Sequence, residues 1–517
     1  MRRRTFLAGA ATAVAGAAFG ELLGHASGHT ANETTTETTT GTTAIRPSTA
    51  TVNPNTSWGN WQGWGTSLAW WAKAFGADST IADIVFTTKN VPYQGKALPG
   101  LGLNIVRYNA GGCTDNAIGK LKMVKSPRIK PTQQMEGYWR NWSSDNPRSS
   151  SWNWDADANQ RNMLWAARDR GVNTFELFSN SPMWWMCDNH NPSGNNNGAK
   201  DNLQAWNHRK HAIYLATIAK YAHDHWGFQF DSVEPFNEPI SNWWKATGTQ
   251  EGCHFGLATQ RDVIGYLRAE LNARGLSHTP IAASDENTYN LALRTWQSFD
   301  PATRSHVGKI NVHGYEYTGG RRDLLYKAAR SAGKTLWNSE YGDGDASGKK
   351  LANCLNLDMK WLHPTAWVYW QIIDGLRWGT IQSDNATRKI GAVNKKYYVL
   401  AQYTRHIRPG MEIIDSSEPN TTAAYDHAAK RLVLVHANVG GARRVTYDLS
   451  AFGAVGGAKV QTARGVQTGS VHRWATGFGD ADRAYEYDAA TTLSGRSLTV
   501  DVSANSVHTF HIDNVHR

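Results

Sequence analysis

Two glutamates, Glu234 and Glu238, lie four residues apart in the segment SVEPFNEP, and either could do chemistry. A carboxyl group whose protonation state changes can donate and accept a proton, and an ionised carboxylate can attack an electrophilic carbon. Each role needs a second carboxylate on the other side of the reacting bond. The segment therefore raises the question of which glutamate reacts and which distant acid is its partner.

Eight short apolar runs alternate with amphipathic stretches between Trp58 and Gly410 and predict strands that are each followed by a helix. The predicted strands cover residues 63–71, 103–109, 174–180, 232–238, 281–287, 309–317, 335–342 and 366–374. Eight strand–helix units are typical of an α/β fold, the (β/α)8 TIM barrel. We therefore predict a barrel over residues 58–410, with any active site at the mouth formed by the carboxyl ends of the strands.

Geometry narrows the choice of partner among the acids near the predicted strand ends, which are Glu234, Glu238, Asp285, Glu286, Glu316, Glu340, Asp343 and Asp374. In a barrel with strands about 4.8 Å apart and tilted about 36°, strands four and seven are separated by roughly 14 Å, which leaves roughly 6 Å between two inward glutamate carboxyls. This gap approaches the ~5–5.5 Å of a glycosidase that retains configuration, in which one carboxylate attacks and the other exchanges a proton. Glu238 with Glu340 fits this geometry, although other pairs are not excluded.

Glu234 is expected to point inward as well, since residues i and i+4 of a strand share a face. It would lie deeper in the barrel than Glu238. We expect a buried, hydrogen-bonded acid there, with Arg107 as a conceivable partner.

The segments outside the barrel have a different pattern of apolar and polar residues. After Gly410 alternating strands without helices predict a small antiparallel β-sandwich side domain over residues 411–517, and residues 46–57 have the character of a strand that joins it. Residues 1–30 carry an Arg pair followed by Thr-Phe-Leu and a short Ala/Gly-rich apolar stretch, which predicts a twin-arginine signal peptide. The Thr-rich residues 31–45 are expected to be a disordered linker. We expect a secreted monomer without a membrane-spanning segment.

The composition favours a carbohydrate-binding surface as much as a large core. The 517 residues include 23 Trp, 19 Tyr and 14 Phe, and flat aromatic side chains stack well on sugar rings. The net charge of +11 comes from scattered Lys and Arg, so a nucleic-acid partner is not expected. Cys113, Cys187, Cys253 and Cys354 fit no zinc pattern, and no metal or cofactor is expected. A bridge between Cys187 and Cys253 and free buried thiols are the two alternatives.

A set of motifs distributed over residues 50–515 resembles glycoside hydrolase family 30, most of all its endo-β-1,6-galactanase branch. The motifs are GWGTSLAWWAKAFG, VRYNAGG, SNSPMWWM, EPFNEP, QEGCHF, WNSEYG, YYVLAQYTRHIRPG and ANSVHTFHI. The resemblance implies that Glu238 is the general acid/base and Glu340 the nucleophile. It also implies that Asn237 binds the sugar 2-hydroxyl, that Arg107 keeps the nucleophile ionised, and that Tyr315 hydrogen-bonds it.

Aromatic residues are expected to line the substrate path. The resemblance assigns Trp370, after the eighth strand, as a platform under the sugar in subsite −1. Further tryptophans predicted in mouth loops could stack on more sugars or pack between the loops; these are Trp64, Trp184, Trp185, Trp243 and Trp244.

One departure from the family pattern bears on the substrate. Glucose-cleaving members often carry a Trp shortly before the Ser-Pro of strand three, where this chain has Phe178, Ser179 and Asn180. A smaller and more polar wall could admit the axial 4-hydroxyl of galactose, so the expected substrate is β-1,6-galactan, as in arabinogalactan side chains. The alternatives are an endo-β-1,4-xylanase or endo-β-1,6-glucanase on the same scaffold, and a non-catalytic carbohydrate-binding barrel.

Overall fold

Eight parallel strands close into a barrel in the computed structural model, which describes residues 46–462, 465–479 and 481–517. The barrel strands, in chain order, are Gly63–Ser67, Ile105–Asn109, Thr174–Phe178, Ser232–Glu234, Ile281–Glu286, Val307–His313, Thr335–Tyr341 and Ala366–Tyr369. Each pairs in parallel with its neighbours, and the eighth pairs with the first. The predicted (β/α)8 fold is confirmed, and each strand lies within or overlaps its predicted range.

The helices follow the barrel strands and cover their outer surface. They are Trp71–Phe75, Ser79–Phe86, Ala158–Arg168, His208–Tyr221, Leu257–Ala273, Tyr289–Ser298, Pro301–His306, Arg322–Ser331, Lys349–Leu357 and Lys395–Thr404. Side-chain caps fix several starts: the Thr288 hydroxyl accepts from the Leu291 N–H and the Asp300 carboxylate accepts from the Thr303 N–H. None of the described helices is both long and apolar enough to cross a membrane.

Several barrel strands end earlier than predicted, and this changes what lies at the mouth. The fourth strand stops at Glu234, because Pro235 and Pro239 supply no N–H for a ladder and the chain turns between them. Glu238 is therefore in a loop rather than at a strand end, and the argument from strand alternation does not apply to it. The eighth strand likewise stops at Tyr369, and Ile373–Asp374 pairs with a separate hairpin, Ile381–Asp384 and Lys389–Val393.

A ten-stranded sheet forms the side domain. Its strands, in spatial order, are Ala458–Thr462, Gly465–Gly477, Ser506–Ile512, Arg431–Asn438, Thr421–Asp426, Glu412–Ser416, Arg46–Asn60, Arg443–Asp448 and Ser497–Val502, and Glu486–Thr492 pairs with the second of these. One pair departs from the predicted antiparallel arrangement, since Arg46–Asn60 runs parallel to Arg443–Asp448. The N-terminal strand is thus an interior strand of this sheet, between Glu412–Ser416 and Arg443–Asp448. Two short hairpins, Asn90–Tyr93 with Lys96–Pro99 and Ala117–Ile118 with Leu121–Lys122, and one antiparallel pair of distant segments, Ala454–Val455 with Val515–His516, complete the described strands.

The barrel and the side domain belong to one compact unit. The helix Lys395–Thr404 joins them: the Gln402 amide donates to Thr476 Oγ1 at 2.8 Å, and Thr509 Oγ1 donates to the Gln402 carbonyl at 3.0 Å. These groups are buried, so their pairing also satisfies the polar atoms at the junction. The predicted signal peptide and Thr-rich linker lie within residues 1–45, outside the described residues.

All four cysteines are buried free thiols, so the prediction of a bridge between Cys187 and Cys253 is wrong in this structure. Their sulfur atoms have other neighbours. Cys187 Sγ lies 3.7 Å from the Met183 carbonyl, and Cys253 Sγ lies 3.3 Å from the carbonyl of His254. Each thiol is a weak donor to its own loop.

The strand Arg46–Asn60 provides a test of the side domain. Val52 is completely buried in the domain core, whereas Thr49 on the same strand is exposed. We expect Val52→Asp to lower the free energy of unfolding by roughly 3 kcal/mol or more, because the carboxylate would be buried without a partner. Urea unfolding followed by tryptophan fluorescence measures this change. Thr49→Asp is the matched control and should stay close to the wild type; equal effects of the two would contradict the central position of this strand.

Candidate active site

Arg107, on the second barrel strand, is a fully buried cation at the centre of the mouth. Its guanidinium donates to Glu176 at 2.8 Å on the third strand, to Asp285 on the fifth, and to Glu340 Oε2 at 3.2 Å on the seventh. Burial opposes the charge on Arg107, but the three carboxylates outweigh it and raise its pKa above the usual value. Arg107 therefore fixes acids of three different strands around one point.

A polar layer below Arg107 holds Glu176 in the ionised state. Lys309 Nζ donates to Glu176 Oε2 at 2.5 Å, the Asn311 amide donates at 3.0 Å to Oε1, and the Ser232 hydroxyl donates at 2.8 Å to Oε2. Burial raises the pKa of Glu176, yet Lys309 and Arg107 lower it by more, and the net shift is downward. This layer supports the site from inside the barrel.

Glu340 lies at the mouth on the seventh strand, 5% exposed. Its Oε1 accepts a hydrogen bond of 2.8 Å from the Tyr315 hydroxyl, and its Oε2 faces Arg107. Burial raises the pKa of Glu340 to about 7, against the opposing charges of His313 and Arg107. The contacts that the family resemblance led us to expect from Arg107 and Tyr315 are both present.

Glu238 is held by its backbone in the loop after the fourth strand. Its φ is +49°, its N–H donates to the Asp285 carbonyl at 2.9 Å, and its carbonyl accepts from Trp244 Nε1 at 2.9 Å. A positive φ is unfavourable for a residue with a side chain and persists where the surroundings enforce it. The side-chain Oε1 accepts from the Asn287 amide at 2.6 Å, so both ends of the residue are fixed.

His313, at the end of the sixth strand, lies between the two glutamates and was missed by the sequence analysis. Its Nδ1 is 3.0 Å from Glu238 Oε1 and 3.5 Å from Glu340 Oε1, and its Nε2 is 3.1 Å from Asp285 Oδ2. Burial lowers the pKa of His313, but Glu340 and Asp285 outweigh it and raise this pKa well above its usual value. Its position two residues before Tyr315, near the mouth end of the predicted sixth strand, could have indicated that it belongs to the site.

The carboxylate oxygens of Glu238 and Glu340 approach within 4.8 Å of each other. Oxygens this close fit the ~5–5.5 Å between the carboxyl groups of retaining glycosidases better than the ~6.5–9.5 Å that leaves room for a water in inverting ones. Glu238, His313 and Glu340 are also near enough together to ligate a cation. The acidic neighbours of His313 favour its protonated form, which pairs with the two glutamates.

Aromatic residues and amides surround the space in front of the glutamates. Trp370 follows the eighth strand and is 7% exposed, with its ring edge-on to Trp70 at 5.2 Å and to Phe178 at 6.4 Å between centroids. Asn237 is 3% exposed, and its Oδ1 has no hydrogen-bond partner among the described residues. Buried amide oxygens are normally paired, so Asn237 offers an acceptor to a ligand.

Four of the five tryptophans predicted in the mouth loops are buried in packing. Trp64 is on the first barrel strand, donates to the Ile407 carbonyl and packs against Trp61, so the prediction that it faces substrate is wrong. Trp184 is fully buried and donates to Thr114 Oγ1, which leaves no face free to stack on a sugar. Trp185 and Trp244 are also buried, whereas Trp243 is 43% exposed in the loop after Glu238.

Glu234 lies beneath Glu238, fully buried, but its partner is not Arg107. Its Oε1 accepts from the Phe236 N–H at 3.3 Å, and no hydrogen bond joins it to Arg107 among the described residues. Burial and the nearby Asp285 and Glu176 raise the pKa of Glu234 well above its usual value. These surroundings disfavour its ionised form, and the expectation of a buried supporting residue agrees with its depth.

Comparison with known proteins agrees with this geometry. Residues 47–300 match the family described as O-Glycosyl hydrolase family 30. Over 468 residues the chain is 53% identical to an endo-beta-1,6-galactanase of Hypocrea rufa, which covers 90% of this chain and 95% of the relative. It is 24% identical to an exo-beta-1,6-galactobiohydrolase of Bifidobacterium longum subsp. longum over 78% of this chain, but spans only 35% of that longer protein.

Solved structures share the fold at low identity. The catalytic domain of GH30 xylanase C from Talaromyces cellulolyticus superposes with a TM-score of 0.65 and 20% identity, covering 90% of this chain and all of that domain. A conserved exported protein from Bacteroides fragilis superposes with a TM-score of 0.70 and 18% identity, over the same shares of the two chains. The extent and the identity of the Hypocrea rufa match lead to one conclusion: this chain belongs to glycoside hydrolase family 30.

Proposed function

We propose that the protein is a retaining endo-β-1,6-galactanase that hydrolyses β-1,6-galactan, as found in arabinogalactan side chains. The observation that carries the retaining mechanism is the separation of 4.8 Å or less between the carboxylate oxygens of Glu238 and Glu340. The substrate rests on the extent of the match to the Hypocrea rufa enzyme.

In the first step Glu340 attacks the anomeric carbon while Glu238 protonates the departing oxygen. Arg107 and the Tyr315 hydroxyl hold both oxygens of Glu340 and favour its ionised form. Because the two carboxyls lie so close, a state with one proton between them is favoured over two charges. The product is a covalent glycosyl ester on Glu340, and the aglycone leaves with the proton.

In the second step Glu238, now ionised, removes a proton from water, which attacks the same carbon and releases Glu340. Two inversions give net retention of the β configuration. His313 contacts both glutamates and carries a positive charge, so it stabilises whichever carboxylate is ionised at each stage. We propose that the Asn237 side chain binds the sugar 2-hydroxyl, a contact that strengthens as positive charge develops on the ring.

Residues at and just after the end of the third strand, Phe178 and Asn180, support galactose as the sugar in subsite −1. Phe178 packs under the Arg107 guanidinium at 4.2 Å, and Asn180 is two residues closer to the mouth. Asn180 is 1% exposed, and neither its Oδ1 nor its Nδ2 has a partner among the described residues. A substrate hydroxyl would satisfy this amide, and the axial 4-hydroxyl of galactose is the group that distinguishes it from glucose.

A β-1,6-glucanase and a β-1,4-xylanase are the alternatives within the family. The xylanase of Talaromyces cellulolyticus supports only the shared fold, since its identity is 20%. Incubation with β-1,6-galactan, β-1,6-glucan and xylan, followed by sizing of the products, separates the three. A non-catalytic binding barrel would bind one of these glycans without releasing products.

Secretion and a monomeric state belong to the same proposal. A polymeric substrate lies outside the cell, and the Arg pair with its Ala/Gly-rich apolar stretch supports export by the twin-arginine route. Light scattering of the purified protein tests the monomer, and replacement of Arg3 and Arg4, the pair that precedes Thr-Phe-Leu, by Lys tests the route.

Loss of either glutamate should abolish turnover. We expect Glu238→Gln and Glu340→Gln to lower kcat/KM on β-1,6-galactan by about 10³-fold or more, since each removes a group that acts on the reacting atoms. Glu234→Gln is the matched control: the same substitution four residues away replaces an acid whose burial disfavours its charged form, and should keep activity within about tenfold. Near-normal turnover by Glu238→Gln would show that the acid/base is another residue.

Azide distinguishes the acid/base from the nucleophile. With Glu238→Ala and an activated galactoside, azide should enter without a general base and give a β-configured glycosyl azide, detected by proton NMR. Glu340→Ala should instead give an α-configured azide by a single inversion. The opposite assignment of the two products would reverse the roles of the glutamates.

Tyr315 should set the pH at which Glu340 ionises. Its hydroxyl donates to the carboxylate and so favours the ionised form; removing it raises the pKa of Glu340 and moves the acid limb of kcat/KM to higher pH. For Tyr315→Phe we expect a shift of about 0.5–1 pH unit, as for one lost hydrogen bond. Tyr317→Phe, whose hydroxyl faces the Gly342 carbonyl, is the control and should leave the limb in place.

A further inference from the structure

A polar cavity of about 390 Å³ lies among three loops of the barrel mouth, and its lining does not include Glu238 or Glu340. Lys73 comes from the loop and helix after the first strand, Glu136 and Asp157 from the long connection after the second, and Asn385 and Arg388 from the hairpin after the eighth. Pockets for small ligands usually measure ~300–1,000 Å³. The cavity is therefore large enough for one sugar residue.

Two of the chain segments that line this cavity also contribute to the side-chain cluster around Trp370. Trp370, Trp70 and Met135 pack in a single cluster. Met135 precedes the cavity residue Glu136, and Trp70 precedes the cavity residue Lys73 by three positions. Trp70 Nε1 is buried without a hydrogen-bond partner among the described residues, so the cluster also presents a free donor. The cavity and the cluster that contains Trp370 are therefore built from adjoining parts of the same loops.

The proposed mechanism determines which half of the substrate lies on this side. Glu238 must protonate the departing oxygen, so the aglycone lies near the loop after the fourth strand. The retained half lies over Trp370, after the eighth strand, and continues away from Glu238. The loops after strands eight and one, which border the cavity, are next in that direction around the barrel.

Asp157 gives independent evidence for a ligand. It is 3% exposed, and its Oδ2 accepts from the Tyr108 hydroxyl at 2.5 Å and from the Gln160 amide. Its Oδ1 is buried and has no partner among the described residues, in a residue that lines the cavity. A buried carboxyl oxygen without a partner is unfavourable, and a sugar hydroxyl could donate to it.

The charges of the lining favour a neutral ligand. The two cations, Lys73 and Arg388, face two acids, Glu136 and Asp157, and Lys73 Nζ is already 3.4 Å from Glu136. Burial raises the pKa of Asp157 to about 7, and sugar hydroxyl groups can pair with amides, cations and carboxyl groups alike.

We propose that this cavity is a distal glycone subsite that binds a neutral hexopyranosyl residue of the substrate, beyond the one on Trp370. The inference rests on the proposed function and adds a second site at which the protein binds the polysaccharide. Binding there favours cleavage within the polymer over removal of single terminal sugars.

A large side chain introduced on the exposed hairpin can fill the cavity without altering the protein core. Ala386 lines the cavity on the exposed hairpin, and Lys389 lies on the same hairpin outside the lining. Wild type, Ala386→Trp and Lys389→Trp are compared on β-1,6-linked galacto-oligosaccharides of two to six residues, labelled at the reducing end. The measured quantities are kcat/KM for each length and the bond that is cleaved.

We expect Ala386→Trp to reduce the ratio of kcat/KM on the hexamer to that on the dimer by about tenfold, because only the longer chain reaches the cavity. The cleaved bond should move toward the non-reducing end, and Lys389→Trp should match the wild type. Asp157→Asn should reduce the same ratio by removing the acceptor. An unchanged length dependence in Ala386→Trp would overturn the subsite.

Two outcomes would distinguish a failure of the proposed function from the binding of an anionic sugar in the cavity. If the wild type cleaves none of the galacto-oligosaccharides, the proposed function fails, whatever the cavity does. If oligosaccharides capped by a uronic acid gain more from the cavity than galactose-capped ones, and lose that gain in Arg388→Ala, the ligand is anionic and the neutral-sugar proposal is wrong.

Discussion

A buried guanidinium organises this active site. Arg107 is completely removed from water, which would be unfavourable for an isolated charge, and it is stable there because it contacts carboxylates of three other barrel strands. Those strands are the third, fifth and seventh. Replacing Arg107 would leave three buried acids without their common cation, so the position of Glu340 and the integrity of the barrel interior depend on the same ion pairs.

The position of Glu238 depends on backbone geometry rather than on Arg107. Glu238 lies beyond the last hydrogen bond of the fourth strand, and its position depends on a loop with a positive φ that is tied to the Asp285 carbonyl and the Trp244 indole. Asp285 therefore participates twice, through its side chain to Arg107 and through its carbonyl to Glu238. This double contact couples the distance between the two glutamates to the fifth strand.

The barrel could be predicted from the sequence because eight apolar runs recur at regular spacing. Each of these runs is buried on both faces of the barrel wall. The family resemblance also placed Arg107 and Tyr315 against Glu340, although Tyr315 lies two residues beyond the end of the sixth strand rather than on it. These contacts are present in the structure, while the catalytic roles remain proposals.

Other features depend on tertiary contacts that local sequence does not specify. Trp64 packs against a distant helix end at Ile407, and nothing in its local sequence indicates which side of the barrel wall it occupies. His313 owes its importance to contacts with three acids that are distant in sequence, Asp285 and Glu340 on other strands and Glu238 in a loop. The early end of the fourth strand could have been inferred from Pro235 and Pro239, which cannot donate to a sheet.

The central claim is that Glu340 forms a covalent bond to the sugar. Incubation with a 2-deoxy-2-fluoro-β-1,6-galactobiosyl fluoride slows both steps, the second more than the first, because of the electron-withdrawing fluorine, and accumulates the intermediate. Intact-mass spectrometry should show the addition of one glycosyl group, and peptide mapping should place it on Glu340. Rapid turnover without a labelled enzyme, or a label on Glu238, would contradict the account.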